Sequence, residues 1–556
     1  MYPHRILTCI ALICLAVFVQ GNFVSPARRD TSTPQFPDLY EASVDELQAG
    51  LDAGQFTSVD LVKAYFARIE EVNLQGPELR AVLELNPSAL ALAAELDVER
   101  KTTGKRSALH GIPILLKDNI ATVASEGMNT TAGSFSLLGS IVPRDAGVVT
   151  RLRKAGAIIL GKANLSEWAH FRGNVASGWS GRGGQSLNAY FPNADPCGSS
   201  SGSGIAASIG LVTVTLGTET DGSITCPASH NNLAGIKPTL GLTSRAGVIP
   251  ISEHQDTVGP LTRSVTDAAI VLSIIAGKDP NDNFTLAQPS PVPDFTKALN
   301  PNALQGRRIG VPRRVFLNDT ITGNDPFVNV AFEAALETIK SLGATVVDPA
   351  NLPSADEIAI SNNETIVLDV DFKIQLDAWF TSLIRNPSGV RSLAELIQFD
   401  NDNPAEEEPE GFEDHLIESE ATTGRNSTFF QSLAFDHELG ATRGIDAALK
   451  AHNLDALVLP APGFTTVPAA IAGYPIVTVP LAFYPDDVVI ASAGPETVYP
   501  APGVPIGLSF LGTAFSEFDL IAFAFAYEQK THTRLARKAF AAAIPTIQLS
   551  DIVGKS

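Results

Sequence analysis

Two short apolar stretches, GIPILLKD (111–118) and AIILGK (157–162), flank a helical pattern, DAGVVTRLRKAG (145–156). A strand, a helix and a second strand in this order form a βαβ unit, in which the two strands run parallel. Parallel strands are buried on both faces and need helices to cover them. The chain is therefore predicted to be an α/β protein.

The alternation of helices and strands extends over most of the chain, and no internal repeat is visible. Helical patterns are present at 44–54, 57–73, 88–101, 266–277, 325–342 and from about 517. Further strands are predicted at 211–217, 307–312, 344–347, 456–461, 476–481 and 505–512. We expect a single large domain with a mixed β-sheet core covered by helices on both faces.

This domain is expected to span residues 39–545, with insertions near 280–303 and 386–426 and a C-terminal tail at 546–556. The chain has 556 residues and a net charge of −21, and a field of that sign repels nucleic acid and anionic membranes. This argues against a role in RNA handling, and no nucleic-acid partner is expected. Much of the acid lies at 400–420, which holds no Lys or Arg and is expected to be a solvated surface insertion.

The N-terminus has the composition of a secretory signal. Arg5 precedes the apolar run ILTCIALICLAVFV (6–19), and Gly21 offers a small residue at the cut. The run is too short for a comfortable membrane span. We expect residues 1–21 to be a signal peptide, 22–38 a leader, and the protein to be secreted. The alternative is an uncleaved N-terminal anchor in the secretory pathway, and a membrane is expected as a partner only in that case.

Cleavage of the predicted signal peptide determines which cysteines the mature chain contains. Cys9 and Cys14 are removed with the signal peptide, and Cys197 and Cys226 remain. Neither belongs to a metal-type CxxC pair, and the sequence leaves open whether the two are bridged. Six sequons fit a secreted glycoprotein, and they lie at Asn129, Asn164, Asn283, Asn318, Asn363 and Asn426.

The stretch PCGSSSGSG (196–204) places three consecutive serines among glycines. It contains G-x-S-x-G with Ser200 as the nucleophile, but that motif requires a strand before the turn, and NAYFPNADPC (188–197) is typical of a loop. A phosphate-binding loop is the second interpretation, although no GK[ST] follows. A flexible Gly/Ser loop is the third.

Two further stretches bear on these interpretations. GTETDGSITCPAS (217–229) leaves a predicted strand through a polar turn, and HGIPILLKDN (110–119) places Lys117 at the end of an apolar strand. A lysine in that position is ordinarily a surface cation whose stem packs on apolar surface. In this order, the three stretches closely resemble the amidase signature family, whose hydrolases use a Ser–Ser–Lys triad. The resemblance runs from about Leu39 to GVPIGLSFLG (503–512).

The resemblance implies a role for each residue of these motifs. Carried over to this sequence, the nucleophile is Ser223, the bridging serine is Ser199, which follows a cis peptide bond in the family, and the base is Lys117. Ser200 and Ser201 are expected to support the turn. The implied oxyanion hole consists of the backbone N–H groups of Thr220, Asp221, Gly222 and Ser223.

The sequence departs from the family at two places. Many members have two glycines before the nucleophile and Arg two residues after it, where this chain has Asp221-Gly222 and Thr225. Backbone donors do not depend on side-chain type, so the oxyanion hole is expected to survive if the carboxylate of Asp221 points outward.

The segments TETDGSITCPA (218–228) and SEWAHFRG (166–173) look most like the branch that contains bacterial peptide amidases, which remove the C-terminal amide from peptides. The resemblance implies a small-molecule or peptide amide as the partner, and neither a metal nor an organic cofactor. The implied substrate-binding residues are Trp168, Ala169, His170 and Ser199.

The chemistry requires a neutral lysine, because a serine hydroxyl is a poor nucleophile until a base takes its proton. The apolar surroundings of ILLK are expected to lower the pKa of Lys117. Asp118 should project to the opposite face of the strand and leave the amine of Lys117 unpaired. Ser223 would then attack the amide carbonyl and form an acyl-enzyme, which water hydrolyses.

Histidines near the motifs offer the alternative of a Ser–His–Asp triad. None of the nearby histidines has a triad partner at a recognisable spacing, and these are His110, His170, His230 and His254. Packing or substrate-loop roles are expected for them, with His170 as the candidate for the border of the substrate pocket. The sequence also leaves open a fatty-acid or aryl amide hydrolase, a catalytically inactive secreted binding protein of the same fold, and the tRNA-linked amidotransferase subunit that shares the signature. The predicted signal peptide and the acidity argue against the last of these.

Overall fold

A mixed β-sheet forms the centre of the molecule. The computed structural model describes residues 36–173, 175–406 and 414–555, and within them the sheet has eleven strands. Numbered β1–β11 in chain order, they are Val82–Leu85, Pro113–Lys117, Ile158–Ala163, Val214–Glu219, Ala234–Lys237, Thr257–Thr262, Arg308–Gly310, Thr345–Val347, Ala456–Pro460, Ile476–Phe483 and Pro505–Leu511. Their order in space is β1-β3-β2-β4-β6-β5-β10-β11-β9-β7-β8.

Parallel pairing is confined to two blocks of the sheet. β2 pairs in parallel with β3 and β4, and β7 with β8 and β9, whereas the other neighbours run antiparallel. Every residue of β2, β3 and β4 is buried, as expected for strands covered on both faces.

The described residues form seventeen α-helices around this sheet. Numbered α1–α17, they are Val44–Asp52, Ser58–Val72, Ala89–Thr102, Gly147–Lys154, Ser201–Ser208, Thr225–His230, Val265–Ile275, Asp319–Thr322, Pro326–Ser341, Ala355–Ile358, Asn363–Ser382, Leu393–Asp402, Asp414–Glu420, Ser427–His437, Asp446–His452, Val467–Ala472 and Glu517–Thr531. A π-helical segment, Glu438–Ile445, joins α14 to α15. The predicted βαβ unit corresponds to β2, α4 and β3. The predicted α/β fold, a mixed sheet flanked by helices, is confirmed.

The main apolar core lies between the sheet and its helices. α7 and α17 pack against β5, β6, β10 and β11, while α5 packs against β2, β3 and β4. Thr57 caps α2: its hydroxyl accepts a hydrogen bond from the Asp60 N–H, and the Asp60 carboxylate accepts from the Thr57 N–H. This is the helix start that the sequence predicts.

A second apolar cluster lies beside the segment 166–173. α11, α12 and α13 contribute Phe372, Leu396 and Leu416 to it, and these pack with Trp168 and Phe171. We call α11–α14 the helical cover. The insertion predicted near 386–426 falls in this cover, and the insertion predicted near 280–303 contains two short 3₁₀ turns, Asn283–Ala287 and Phe295–Ala298.

The acidic segment is anchored in the interior by two of its carboxylates. Asp400 and Glu406 are buried, and Glu406 accepts hydrogen bonds from the Ser134 hydroxyl at 2.9 Å and from the Phe135 N–H at 2.5 Å. The prediction of a solvated surface segment is wrong for these two residues because both are buried, and donors in the interior hold Glu406. Residues 407–413, which contain much of the acid, lie outside the described residues.

The predicted signal peptide and most of the predicted leader, residues 1–35, also lie outside the described residues. Within the residues that the structure describes, no helix has the length and apolar character needed to cross a bilayer. At the other end of the chain, the carbonyls of Pro545 and Ile547 accept hydrogen bonds from the Arg68 guanidinium at 3.2 and 2.6 Å, and Leu549 is buried. The residues predicted as a tail thus pack against α2.

Candidate active site

Lys117 is the last residue of β2, and its side chain is 0 % exposed. Its Nζ atom lies 2.7 Å from Ser199 Oγ and 3.2 Å from the carbonyl oxygen of Thr218 in β4. β2 and β4 are parallel neighbours, so their carboxyl ends bring the lysine and the loop after β4 to the same edge of the sheet. The interpretation of Lys117 as a surface cation is wrong.

Burial lowers the pKa of Lys117 to about 7, although the carboxylates of Asp256 and Glu219 act in the opposite direction. A neutral amine is therefore accessible near neutral pH, which the ordinary pKa of 10.5 would not allow. Asp118 points away, as its position on the strand predicts. Its Oδ2 accepts hydrogen bonds from the backbone N–H groups of Thr131 and Gly133, both at 3.1 Å.

Ser199 follows a cis peptide bond, Gly198–Ser199, as the resemblance implies. Its carbonyl oxygen accepts a hydrogen bond from the Ser166 N–H at 3.1 Å. Ser199 is therefore hydrogen-bonded to Lys117 at the end of β2 through its hydroxyl and to the segment 166–173 through its carbonyl oxygen.

The other two serines of the triplet support this loop. The Ser200 hydroxyl donates to the Thr218 carbonyl at 3.1 Å, and the Ser201 hydroxyl donates to the Cys197 carbonyl at 2.5 Å. Both side chains are buried. The residues before Ser199 form a loop and not a strand, which removes the basis for a nucleophile at Ser200.

Ser223 lies in the turn between β4 and α6 and is 8 % exposed. Its carbonyl oxygen accepts a hydrogen bond from the Ser200 N–H at 3.3 Å, which joins the two serine segments. None of the backbone N–H groups from Thr220 to Ser223 donates a hydrogen bond to another described residue. These donors are therefore available to bind an oxyanion.

A cavity of about 270 Å³ opens at Ser223. Its lining includes most of the predicted site and several residues that the sequence did not indicate: Ala169, His170, Phe171, Ser177, Gly198, Thr220, Asp221, Ser223, Ile251 and Leu368. Leu368 comes from α11, so the helical cover forms one wall of the cavity.

Of the three predicted substrate-binding residues in the segment 166–173, Ala169 and His170 line this cavity and Trp168 does not. Trp168 is 1 % exposed, and its ring contacts Phe380 of α11 with centroids 6.1 Å apart. Trp168, Ala169 and His170 all have positive φ, a turn that directs the indole into the apolar cluster. Packing thus holds the indole ring in the interior, and a contact between Trp168 and substrate stays a prediction.

The sequence matches the family model described as Amidase over residues 60–521. The chain belongs to the amidase family. It is 44% identical to a putative amidase of Arthroderma benhamiae over 536 residues, which cover 92% of this chain and 89% of that protein. It is also 42% identical over 505 residues to a probable amidase of Arabidopsis thaliana, covering 89% of this chain and 91% of that protein.

The native peptide amidase of Stenotrophomonas maltophilia has a similar structure, with a TM-score of 0.81 at 44% sequence identity. The match covers 92% of this chain and 100% of that chain. The predicted membership of the amidase signature family and the likeness to peptide amidases are confirmed. The protein is an enzyme that hydrolyses amides.

The carboxyl group of Asp221 does not point outward in this amidase. Asp221 is half-buried, and its Oδ1 is enclosed without a hydrogen-bond partner among the described residues. Burial raises the pKa of Asp221 to about 6. Burial, and then the charge of Asp221, raise the pKa of Glu364 on α11 well above its ordinary value. Gln255 links the two segments, since its Nε2 donates to Glu364 Oε1 at 2.7 Å and to the Thr220 carbonyl at 3.4 Å.

The histidines do not complete a Ser–His–Asp triad among the described residues. Burial lowers the pKa of His170 to about 4, so its ring is neutral at the wall of the cavity. Nδ1 of His254 is hydrogen-bonded to Oδ2 of Asp371 at 2.6 Å. The hydroxyl of the neighbouring Ser252 donates to the same carboxylate and not to the imidazole. Nε2 of His110 and Nδ1 of His230 contact backbone carbonyls, and Nδ1 of His110 accepts from the Arg106 N–H.

Cys197 and Cys226 form a disulfide, a pairing that the sequence left open. Three groups in the described residues have metal-ligand spacing: Cys197 with Cys226 and His230, Glu253 with His254 and Asp371, and Asp369 with His415 and Glu418. The two sulfurs of the first group are bonded to each other.

Proposed function

We propose that this amidase is a secreted serine amidohydrolase in which Lys117, Ser199 and Ser223 form the catalytic triad and the carboxamide is cleaved through an acyl-enzyme. The observation that carries the proposal is the buried Lys117 amine 2.7 Å from the hydroxyl of Ser199, on a loop that is hydrogen-bonded to the Ser223 turn.

Acylation begins with the neutral form of Lys117. Nζ accepts the proton of Ser199 Oγ, Ser199 takes the proton of Ser223, and Ser223 Oγ bonds to the carbonyl carbon of the substrate. The carbonyl oxygen gains the negative charge and lies among the N–H groups of Thr220 to Ser223. Loss of one such donor costs roughly 10²–10³ in rate in other hydrolases, so this contribution is large.

The same relay then runs in the opposite direction. The Lys117 ammonium returns its proton through Ser199 to the leaving nitrogen, the carbon–nitrogen bond breaks, and ammonia or an amine departs. A water molecule gives a proton to the relay and attacks the ester carbonyl. Ser223 leaves with a proton from Ser199, which restores the starting state.

C-terminal peptide amides are the substrate class that we propose. The likeness to the peptide amidase of Stenotrophomonas maltophilia supports it. The cavity of about 270 Å³ is near the small end of ligand pockets, roughly 300–1,000 Å³, and suits the last side chain of a peptide better than a fatty acyl chain. Its apolar wall, Phe171, Ile251 and Leu368, suits an apolar last residue.

A panel of peptide amides, aryl amides and fatty amides tests this proposal, with ammonia or amine release measured for the wild type and Ser223→Ala. We expect the highest kcat/KM on peptide amides and no turnover by the variant. A preference for fatty amides would favour the fatty-acid amide hydrolase. A wild type that hydrolyses no amide would favour the inactive binding protein.

Secretion is supported by the N-terminal apolar run and by the disulfide, because disulfides persist in oxidising compartments. The Asn164 side chain is buried, so this sequon is not an acceptor in the folded protein. Asn283, Asn318 and Asn426 are exposed and are the better candidates. N-terminal sequencing of material from the culture medium should begin near residue 22; a chain that keeps residues 1–21 in a membrane fraction would favour the anchor.

A further inference from the structure

The two serines of the proposed triad lie near the two ends of one segment, residues 197–226, and the disulfide joins these ends. Cys197 precedes Ser199 by two residues, and Cys226 follows Ser223 by three. The segment between them contains α5 and β4. The disulfide therefore restrains the backbone within three residues of each serine.

The geometry points to Cys197 and Cys226 as positioning residues for the proton relay: their disulfide holds Ser199 against the Ser223 turn, and its reduction lowers the rate of amide hydrolysis reversibly. This inference rests on the proposed Ser–Ser–Lys mechanism. It adds a thiol-sensitive element that the mechanism itself does not require.

The relay needs both of its contacts to be short. Proton transfer between heavy atoms occurs over about 2.6–3.2 Å, and a misplacement of 1 Å costs roughly 10²-fold in rate. On the lysine side, Ser199 is fixed by the 2.7 Å contact with Lys117. On the nucleophile side, the Ser200 N–H donates to the Ser223 carbonyl at 3.3 Å, which is at the long end for N–H···O bonds, and the Ser200 hydroxyl donates to the Thr218 carbonyl at 3.1 Å, ahead of the turn. The disulfide adds a covalent link to these hydrogen bonds.

Each cysteine is joined to the rigid part of its segment. The Cys226 N–H donates to the Gly222 carbonyl at 2.7 Å, so a shift of this residue moves the turn that carries Ser223. Cys197 has a left-handed backbone with φ 56°, its N–H donates to Asp195 Oδ1 at 2.6 Å, and its carbonyl accepts from Ser201. Release of the sulfurs therefore removes the covalent restraint on the distance between the two backbones.

Cys197 and Cys226 are both half-buried and not fully enclosed, so a small thiol is the reductant of choice. Dithiothreitol would act in two steps. One of its thiolates attacks a cysteine sulfur and forms a mixed disulfide, and its second thiol then closes the cyclic disulfide of dithiothreitol. The products are two cysteine thiols and one oxidised dithiothreitol, so two electrons and two protons pass to the protein.

The experiment measures kcat and KM for a peptide amide with the oxidised wild type, the dithiothreitol-reduced wild type and the double variant C197A/C226A. The double variant lacks only Cys197 and Cys226, so it shows any effect that dithiothreitol has apart from reduction of their disulfide. We expect reduction and double substitution each to lower kcat at least tenfold and to change KM less than twofold. Dithiothreitol should not affect the double variant, and reoxidation should restore the wild type.

Two further measurements separate positioning from loss of fold and from failure of the proposed mechanism. Circular dichroism should show a folded reduced enzyme at the assay temperature, and the pH at which the rate is half-maximal should stay near that of the oxidised enzyme because the surroundings of Lys117 are unchanged. Labelling of Ser223 by a serine-reactive fluorophosphonate, followed by mass spectrometry, gives a readout that does not depend on turnover.

Each result has one meaning. If the oxidised wild type is not labelled at Ser223, the proposed mechanism fails. If it is labelled, and the reduced form with alkylated Cys197 and Cys226 keeps its kcat and its labelling rate, the positioning role is wrong. A fall in kcat that coincides with loss of the circular dichroism signal also contradicts it, because the bond would then support the fold and not the relay.

Discussion

The serine segments and the helical cover meet at one cavity, but different interactions hold them. Lys117, Ser199 and Ser223 are fixed by hydrogen bonds of 2.7–3.3 Å and by a disulfide close to both serines. The helical cover reaches the same cavity through Leu368, and its contact with the segment 166–173 is apolar packing. Hydrogen bonds of Glu364 and Asp371 on α11 tie the cover to residues 252–255, away from the reacting atoms.

This difference separates the chemistry from the choice of substrate. Directional bonds at the ends of buried strands fix the reacting atoms, and small displacements there have large effects on rate. Apolar contacts set the shape of a pocket and tolerate changes of volume at moderate cost. Substitutions in the serine segments should therefore stop catalysis, whereas substitutions in the cover should change which amide is preferred.

The largest effect is expected from Ser223→Ala, which removes the nucleophile. We expect kcat for a peptide amide to fall by at least about 10⁴-fold with an unchanged thermal unfolding midpoint, as for other nucleophilic hydrolases. Ser200→Ala is the control, because the Ser200 hydroxyl is bonded to the Thr218 carbonyl and faces no substrate. If Ser200→Ala were the inactive protein and Ser223→Ala the active one, the assignment of the serines would be wrong.

Lys117 gives the next largest effect. The wild-type rate should rise with pH through about 7, because the neutral amine is the base. Lys117→Arg should be nearly inactive at every pH, since a guanidinium stays protonated. Lys162 of β3 is the matched control: it is equally buried, its pKa is lowered to about 8 by burial, and its Nζ donates to the Ile120 carbonyl and Thr130 Oγ1 outside the cavity. Lys162→Met should keep measurable activity.

Burial of Lys117 should also lower the free energy of unfolding of the protein near neutral pH. The folded-state pKa of Lys117, about 7, lies below the ordinary 10.5, so the unfolded chain binds the proton more tightly, and stability falls as the pH drops from 10.5 toward 7. Lys117→Met should therefore raise the free energy of unfolding at pH 7 by up to about 4 kcal/mol and should remove this part of the pH dependence. Denaturant titrations of both proteins at pH 7 and pH 10 measure it. An inactive variant that is also less stable would contradict the role of burial.

The sequence predicted the serine segments much better than the cover, for a physical reason. Lys117 ends a short apolar strand, and Ser223 follows another, so local patterns place both at one edge of the sheet. Leu368 lies on a helix whose partner is a turn about 200 residues earlier in the chain, and no local pattern reports such a contact. Trp168 shows the same limit, because three successive residues with positive φ decide where its ring lies.

Trp168 and Leu368 form the pair that tests the boundary between core and cavity. Trp168→Phe should lower the free energy of unfolding by about 1–3 kcal/mol and leave the ratio of kcat/KM between two peptide amides unchanged, because the ring packs on Phe380. Leu368→Ala should change that ratio by about tenfold in favour of a bulkier last residue, because it enlarges the cavity. Thermal unfolding and a two-substrate competition assay measure both. If Trp168→Phe changed the ratio of kcat/KM between the two peptide amides and kept normal stability, the indole would be a substrate contact and not a core side chain.

The smallest effect is expected where the two regions touch, at Glu364 of the cover and Asp221 of the oxyanion turn. The pKa of Glu364 is raised well above its ordinary value by burial and then by the charge of Asp221, with Asp436 of α14 acting in the same direction. Glu364 therefore keeps its proton under conditions in which an ordinary carboxyl has lost it. Its ionisation at high pH should place a second charge beside the turn, weaken the binding of the oxyanion and end the plateau of the rate profile. A raised carboxyl pKa also means that stability falls as the pH rises from about 4.5 toward the folded-state pKa.

Glu364→Gln keeps the size of the protonated carboxyl group and an oxygen that can accept the hydrogen bond from Gln255. The variant therefore tests the effect of the negative charge alone. We expect kcat at pH 7 within about threefold of the wild type, because the raised pKa of Glu364 favours its neutral form, which the glutamine imitates. The decline of the rate at alkaline pH should be absent in the variant, and its thermal unfolding midpoint should be slightly higher. Asp436→Asn is the opposing control: it removes a neighbouring like charge, so the pKa of Glu364 should fall and the alkaline decline should begin at a lower pH. If both variants reproduced the wild-type profile from pH 6 to 10, the helical cover would shape the cavity without any electrostatic contact with the turn that stabilises the oxyanion.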